Sequence, residues 1–300
     1  MRARVGSGLR RLLRRDTKRP AVSVSEYWTS HNVTGHRAFT DAEESLKYFA
    51  WRNSQYVNYI KLMPVAGFDG KRVLDFGCGP GDDLVGFGVY SKPSRLVGVD
   101  VSASSVQEAR ARLALHGIAA DVQQLEPGGT LPFEDASFDH IHSSGVLHHV
   151  EDPHATLGEL KRVLRPGGDV YVMVYNFDSL WMHLLVAYHR TIVEGRYPDL
   201  TPREQFARST DGEACPISRC YRPDEFISLA NAAGFDATFA GAAVSMRELS
   251  IAATRFAAIM DPRLPEENRR FLEALEFDRQ MLPLVNGRHA GIDAVYHLRY

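Results

Sequence analysis

The sequence predicts an α/β domain built on a mostly parallel sheet with helices on both faces. Two observations carry this. Between Arg72 and Tyr175, short apolar runs alternate with stretches of helical period, the rhythm of strand–helix–strand units. The first of those runs ends in a glycine-rich turn, "KRVLDFGCGPGDD" at 71–83. Such turns sit at the carboxyl ends of parallel strands, where ligands bind.

Each element has its own signal. Over Asp41–Met63 a helix is expected: Ala42, Leu46, Phe49, Ala50, Tyr56, Val57, Ile60 and Met63 fall near a 3.6-residue period, and Pro64 and Gly67 end it. Arg72–Phe76 reads as the first strand and Asp82–Tyr90 as the helix after the turn. Arg95–Val101 is the second strand. Ser104–His116 is a helix with Val106, Ala109 and Leu113 on one face and Gly117 at its end. Strands follow at Ala120–Gln124 and Phe138–Ser143, then a helix at Pro153–Leu164 stopped by "RPGG", then a strand at Asp169–Tyr175. Strand twist makes the crossovers right-handed. Beyond Tyr175 the rhythm changes. Leu180–Val193 is a long apolar helix ending near Gly195, and "YRPDEFISLANAAGF" is a helix closed by Gly234. "FDATFAGAAV" is strand-like, and Met246–Met260 and Glu266–Phe277 look helical. In "IDAVYHLRY", Ile292, Ala294, Tyr296 and Leu298 alternate with the rest, the mark of a last strand.

The totals are those of a globular protein: 300 residues, 44% hydrophobic and 24% charged. A net charge of −2 makes no general case for nucleic acid. Cys78, Cys215 and Cys220 form no disulfide framework and suit a reducing, cytoplasmic setting. Cys215 and Cys220 are too few and too widely spaced for a zinc site on their own, and no motif such as H-E-x-x-H is present, so no metal is expected. No apolar run approaches the ~20 residues of a membrane span. The charge is uneven: residues 1–19 carry +7, which leaves −9 for the remainder. This segment reads as a solvated basic tail; Leu9, Leu12 and Leu13 could also line a short helix lying on an anionic membrane or a partner.

The glycine turn brings Asp75 to the carboxyl edge of the sheet. Gly77, Gly79 and Gly81 let backbone approach a ligand. Asp82 is placed to cap the next helix, with Asp83 beside it. Acids at a helix start disfavour a phosphate there. The spacing G-x-G-x-G also departs from the G-x-G-x-x-G of dinucleotide turns. The second strand ends at Asp100, placed to accept hydrogen bonds from a ribose diol. A cationic end, a diol and no phosphate describe S-adenosylmethionine better than NAD.

Four blocks, "VLDFGCGPGDD", "LVGVDVS", "LPFEDASFDHIHSSGVLHHVEDP" and "ELKRVLRPGGDVYVMVYN", resemble a class I S-adenosylmethionine-dependent methyltransferase over about Lys71–Asn176. "STDGEACPISRCYRPDEF" and "AGIDAVYHLRY" are similar to a bacterial subgroup, of the methyltransferase type 11/12 kind. The resemblance implies a Rossmann-like fold, seven strands with one antiparallel, helices on both faces, and a helical cover. It divides the chain into a basic tail (1–24), a lid segment and helix (25–70), a cofactor-binding core (71–178), and acceptor-side helices with the final strands (179–300). It further implies that Asp75 and the backbone around Gly77, Cys78 and Gly79 hold the methionyl amino group and line the sulfonium, with Gly81 completing the turn. Asp100 would take the ribose hydroxyls, Val101 pack on the adenine, Glu126 or the backbone near Leu125 meet the adenine amino group, and Ser143 lie beneath the cofactor. Arg52, on the preceding helix, would pair with the methionyl carboxylate. Cys78 reads as a packing residue rather than a nucleophile, and Gly81 also suits helix–strand packing.

On the acceptor side, His148, His149 and Tyr175 are the catalytic candidates, at the ligand edge of the fourth and fifth strands. Asn176 and His183 lie nearby. "SEYWTSHNVTGHRAF", with Tyr27, Trp28, His31, Asn32 and His36, suits either a lid or a strap across the sheet edge. The reading is methyl transfer to a small-molecule, glycan or lipid-linked acceptor, with oxygen the preferred acceptor atom. The alternatives are a nicotinamide oxidoreductase and a non-catalytic methyltransferase-like binding module.

Overall fold

The computed structural model describes residues 22–300. The basic segment 1–19, and with it the membrane or partner contact expected there, lies outside the described residues. In chain order the elements are α1 (Val24–Ser30), α2 (Ala42–Ser54), β1 (Tyr56–Val57), α3 (Tyr59–Leu62), β2 (Arg72–Phe76), α4 (Asp82–Tyr90), β3 (Arg95–Asp100), α5 (Ala103–Leu115), β4 (Asp121–Gln124), β5 (Phe138–Ser144), α6 (Pro153–Val163) and β6 (Leu164–Tyr175). A π-helix (Trp181–Val193) follows, then α7 (Pro202–Thr210), α8 (Pro223–Ala232), β7 (Asp236–Ser245), α9 (Met246–Ile251), α10 (Arg255–Met260), α11 (Glu266–Glu273), three short strands β8–β10 between 276 and 289, and β11 (Asp293–Arg299).

Among the described residues, the main sheet has eight strands in the order β1-β7-β11-β6-β5-β2-β3-β4. β6, β5, β2, β3 and β4 are mutually parallel, and β11 runs antiparallel between β6 and β7. The sequence leads to seven strands; the eighth is β1, two residues paired with Val244 and Ser245 at the edge. Its presence breaks the single helix expected over 41–63. Asn58 takes a left-handed backbone (φ 70°), which no helix interior accommodates, and β-favouring Tyr56 and Val57 pair with β7 instead. The expected helix at 246–260 is likewise segmented, into α9, a 3₁₀ turn at Ala252–Thr254 and α10. That at 266–277 stops at Glu273, and Glu276–Phe277 joins the small sheet.

Side-chain alternation divides the core between the two faces of the sheet. Leu74, Val97, Val99 and Ile141 face α6 and α8, packing with Leu157, Leu160 and Phe226. Val73, Leu96 and Val122 face α4 and α5, packing with Leu84, Phe87 and Leu113. A third apolar cluster joins the π-helix to the C-terminal helices through Leu184, Leu185, Phe206, Ile251 and Leu272. Tyr56, Tyr175 and Trp181 pack against that cluster and face the cavity at the carboxyl ends of the strands. Among the described residues, no helix is long and apolar enough to cross a membrane.

Candidate functional site

A cavity of about 1100 Å³ opens at the carboxyl ends of the strands. Its floor is the turn after β2. Gly77 has φ +77°, and a Cβ there would lie 2.1 Å from the Val146 side chain, so only glycine fits. Gly79 has φ +51° and open space where a Cβ would stand, which leaves its backbone bare toward the cavity. Gly81 lies outside the lining; its Cα faces Ala109 on α5, where a Cβ would meet backbone at 3.1 Å. Cys78 lines the cavity but is nearly buried, and burial, with Asp100 and Asp75 nearby, pushes its thiol far up. It packs as a neutral thiol.

Asp100 ends β3 at the cavity wall. Its Oδ2 accepts from the Gly79 N–H and its Oδ1 from the Ser102 N–H, each at 2.8 Å. Burial raises its pKa against those hydrogen bonds. Asp75 lies one layer behind the lining. Its Oδ2 is buried without a hydrogen-bond partner among the described residues, and burial, together with the Asp83 charge, raises its pKa strongly. Asp82 does not cap α4. Gly81 occupies the N-cap in a left-handed conformation with no side-chain cap, and Asp82 turns to the buried Arg112 at 2.6 Å. Asp83 pairs with Arg52 at 2.9 Å and with His142 at 3.3 Å. Although burial opposes it, the Arg52 charge holds the Asp83 carboxyl well below the usual carboxylate range. Arg52 lines the cavity, and its other nitrogen reaches toward Tyr59 and Ser144.

Val101, Leu125 and Glu126 line the same cavity. Ser143 does not: it is fully buried, its hydroxyl has no partner among the described residues, and its neighbour Ser144 faces the cavity, hydrogen-bonded to Tyr59. Strand alternation makes this a one-residue difference with opposite faces.

Elsewhere on the cavity stand the groups expected on the acceptor side. His149 lines the cavity, and its Nδ1 is 2.6 Å from the Ile217 carbonyl. Burial lowers its pKa, and Asp211 opposes that. His148 is fully buried behind the wall, stacked on Tyr175 at 3.9 Å, and neither ring nitrogen has a partner among the described residues. Tyr175 lines the cavity and donates to Asp211 Oδ1 at 2.7 Å; burial and Asp211 raise its pKa far above 10.0, so it keeps its proton. Asn176 and His183 lie outside the lining; His183 stacks on Phe271 at 3.8 Å.

Helix α1 roofs the cavity and joins its two ends. Ser25 donates to the Val101 carbonyl at 3.0 Å, the Trp28 ring lies 4.7 Å from that of His149, and Tyr27 donates to the Asp211 carbonyl. Beyond it, Asn32 and His36 bind Glu108 of α5. Among the lining residues that escaped the reading of the sequence are Ser144, Asp211, Trp181 and Asp293. Asp211 precedes a glycine in a polar turn, "STDG", a weak signal that also fits an ordinary loop. Asp293 is an acid at the head of an apolar strand; buried beside Glu248, its carboxyl is pushed up to about 8, burial being the main cause.

These residues fit S-adenosylmethionine. The Asp100 carboxylate suits a ribose, and the bare backbone at Gly79 with the orphaned Asp75 oxygen behind it suits a nearby cationic end. Arg52 offers a partner for a carboxylate.

The model of the methyltransferase domain family matches residues 74–172. The ubiquinone biosynthesis O-methyltransferase of Pseudomonas aeruginosa is 29% identical over 136 residues, 45% of this chain and 57% of that one. The ubiquinone/menaquinone biosynthesis C-methyltransferase of Hahella chejuensis is 36% identical over 109 residues, 36% of this chain and 44% of that one. The chain spans about half the length of the curated relatives it matches. A putative methyltransferase of Haloferax volcanii, solved in complex with the Trm112 methyltransferase activator, is similar in fold, with a TM-score of 0.51 at 20% identity, over 87% of this chain and 99% of that one.

Proposed function

Residues 74–172 of this chain belong to the methyltransferase domain family, whose methyl donor is S-adenosylmethionine, and from that premise we propose that the protein methylates a small-molecule, glycan or lipid-linked acceptor, on oxygen. One observation carries the reading. The donor-side residues Gly77, Gly79 and Asp100 and the acceptor-side residues His149, Tyr175 and Asp211 line one continuous cavity.

When bound, the cofactor supplies a methyl group on a sulfonium, which is transferred by in-line displacement. Asp100 would hold its ribose, Asp75 and the backbone around Gly77 and Gly79 would satisfy its amino end, and Arg52 would take its carboxylate. Val101 and the backbone near Leu125, with Glu126, would receive the adenine. The walls toward the acceptor are aromatic, with Trp28, Tyr56, Tyr175 and Trp181, and suit a ring or an apolar body. Helix α1 keeps water from that space. The acceptor's reacting hydroxyl would face His149 and Asp211, where its proton leaves. Tyr175 holds Asp211 in place, and His148 backs Tyr175. Oxygen is preferred because a hydroxyl must lose a proton, and those two side chains stand at that end. The two relatives named for quinone biosynthesis act on oxygen and on carbon, and both kinds of acceptor suit an aromatic wall.

Calorimetry with S-adenosylhomocysteine and with NAD tests the donor. The expected result is saturable binding of S-adenosylhomocysteine and none of NAD; NAD binding alone would overturn the reading. Incubation of a cell extract with labelled methyl donor then tests turnover. Transfer of label to a small or lipid-soluble component is expected, and the absence of transfer to any component would favour a binding module.

A further inference from the structure

His149, Asp211 and Cys215 converge from two places in the chain. His149 follows β5; Asp211 and Cys215 belong to the turn after α7. One nitrogen, one carboxylate oxygen and one sulfur from these residues all lie within 4.8 Å of one another.

The histidine is preset. Its Nδ1 donates to the Ile217 carbonyl at 2.6 Å, which leaves Nε2 with a free lone pair. Nε2 makes no hydrogen bond among the described residues, although the side chain is only 7% exposed. It faces Asp211 Oδ2 at 4.0 Å, too far to share a hydrogen. Two ligands bound at 2.0–2.2 Å to one tetrahedral ion stand about 3.4 Å apart, so a small closure would suffice. The carboxylate is preset as well: Asp211 Oδ1 accepts from Tyr175 at 2.7 Å and Oδ2 from Ser218 at 2.6 Å. A backbone carbonyl behind the histidine and hydroxyls behind the carboxylate are the outer partners that hold metal ligands in orientation. The Cys215 thiol turns to the Ile217 carbonyl at 3.3 Å, the same oxygen that fixes His149.

We propose that His149, Asp211 and Cys215 bind one divalent transition ion, with zinc the best match. Nitrogen, oxygen and thiolate together suit zinc and exclude magnesium and calcium, which take oxygen ligands. Binding forms the metal–sulfur bond and releases the thiol proton to solvent. His149 and Asp211 line the cavity and Cys215 does not, so the fourth position opens toward the acceptor. An acceptor hydroxyl bound there loses its proton to solvent more readily. Only this last role rests on the methyl-transfer reading; the site itself does not.

The test titrates the chelator-treated full chain with cobalt(II) and reads its absorption, with zinc as competitor. One equivalent is expected to bind, with tetrahedral visible bands and a sulfur-to-cobalt band in the near ultraviolet, all displaced by zinc. Cys215→Ser should abolish the sulfur band, and His149→Ala should weaken cobalt binding at least tenfold, while Cys220→Ser should behave as wild type. S-adenosylhomocysteine calorimetry on the same samples reports folding and the donor site separately. No saturable binding, a sulfur band that survives Cys215→Ser, or an adventitious ion only, held equally by His149→Ala, would overturn the proposal. Loss of S-adenosylhomocysteine binding with intact cobalt binding would instead count against the donor assignment.

Discussion

Asp100 shows how much one side chain decides. Each of its oxygens holds one backbone N–H, and the carboxylate stands at the cavity wall. Asp100→Ala is therefore expected to weaken S-adenosylhomocysteine by roughly 1–3 kcal/mol in calorimetry, the loss of charge-assisted hydrogen bonds. An unchanged affinity would remove the ribose assignment. Arg112 is the structural counterpart. It is 2% exposed and binds Asp82 at 2.6 Å and Ser45 Oγ at 2.7 Å. Arg112→Met leaves a buried carboxylate unpaired, and denaturant unfolding should show a loss of about 3–5 kcal/mol. A loss below ~1 kcal/mol would mean that Asp82 escapes to water. Asp75 and Asp100 were legible because each sits at the end of an apolar run, two places before Gly77 and Ser102 respectively. Ser144 was not: the same strand places Ser143 and Ser144 on opposite faces, and only packing says which faces the cavity.

Among the elements, α1 carries a function that its sequence shows only as composition. It has a capping box, with Ser23 and Glu26 holding each other's backbone N–H, yet its seven residues are too few for a period to emerge. Its position comes from distant partners: Val101, Ser104, His149 and Asp211. Deleting residues 1–19 is expected to leave S-adenosylhomocysteine affinity unchanged. Deletion through Val33 also removes the Ser25 bond to Val101 and the Trp28 roof, and should cost about 1–2 kcal/mol. Equal affinities for both truncations would show that α1 is no part of the cofactor site. The break in the helix expected over 41–63 has a similar origin, because β1 exists only through its pairing with β7, 187 residues further on from Val57 to Val244.

For the molecule as a whole, buried carboxyls set a dependence on pH. Burial pushes Asp293 up to about 8, and burial pushes Glu248 up to about 7. In the unfolded chain both are ionised well below neutrality, so the folded state binds more protons between roughly pH 4 and those values. Stability therefore falls as pH rises across that window, by up to roughly 1.4 kcal/mol per pH unit for each group. Between pH 6.5 and 8, urea unfolding should show wild type losing stability and Asp293→Asn losing less; parallel losses would mean that Asp293 is already ionised in the folded protein. By itself, the sequence determined the strand–helix rhythm from Arg72 to Tyr175, the glycine turn and its acids, and the last alternating strand. Each of these is encoded by neighbours in the chain, through period, glycine and caps. The tertiary structure alone decided the eighth strand, the roof formed by α1, the burial of His148 behind Tyr175, and the meeting of His149 with Asp211 and Cys215. Those depend on which separate segments come into contact, and no local period records a contact such as His148 with Tyr175 or His149 with Asp211.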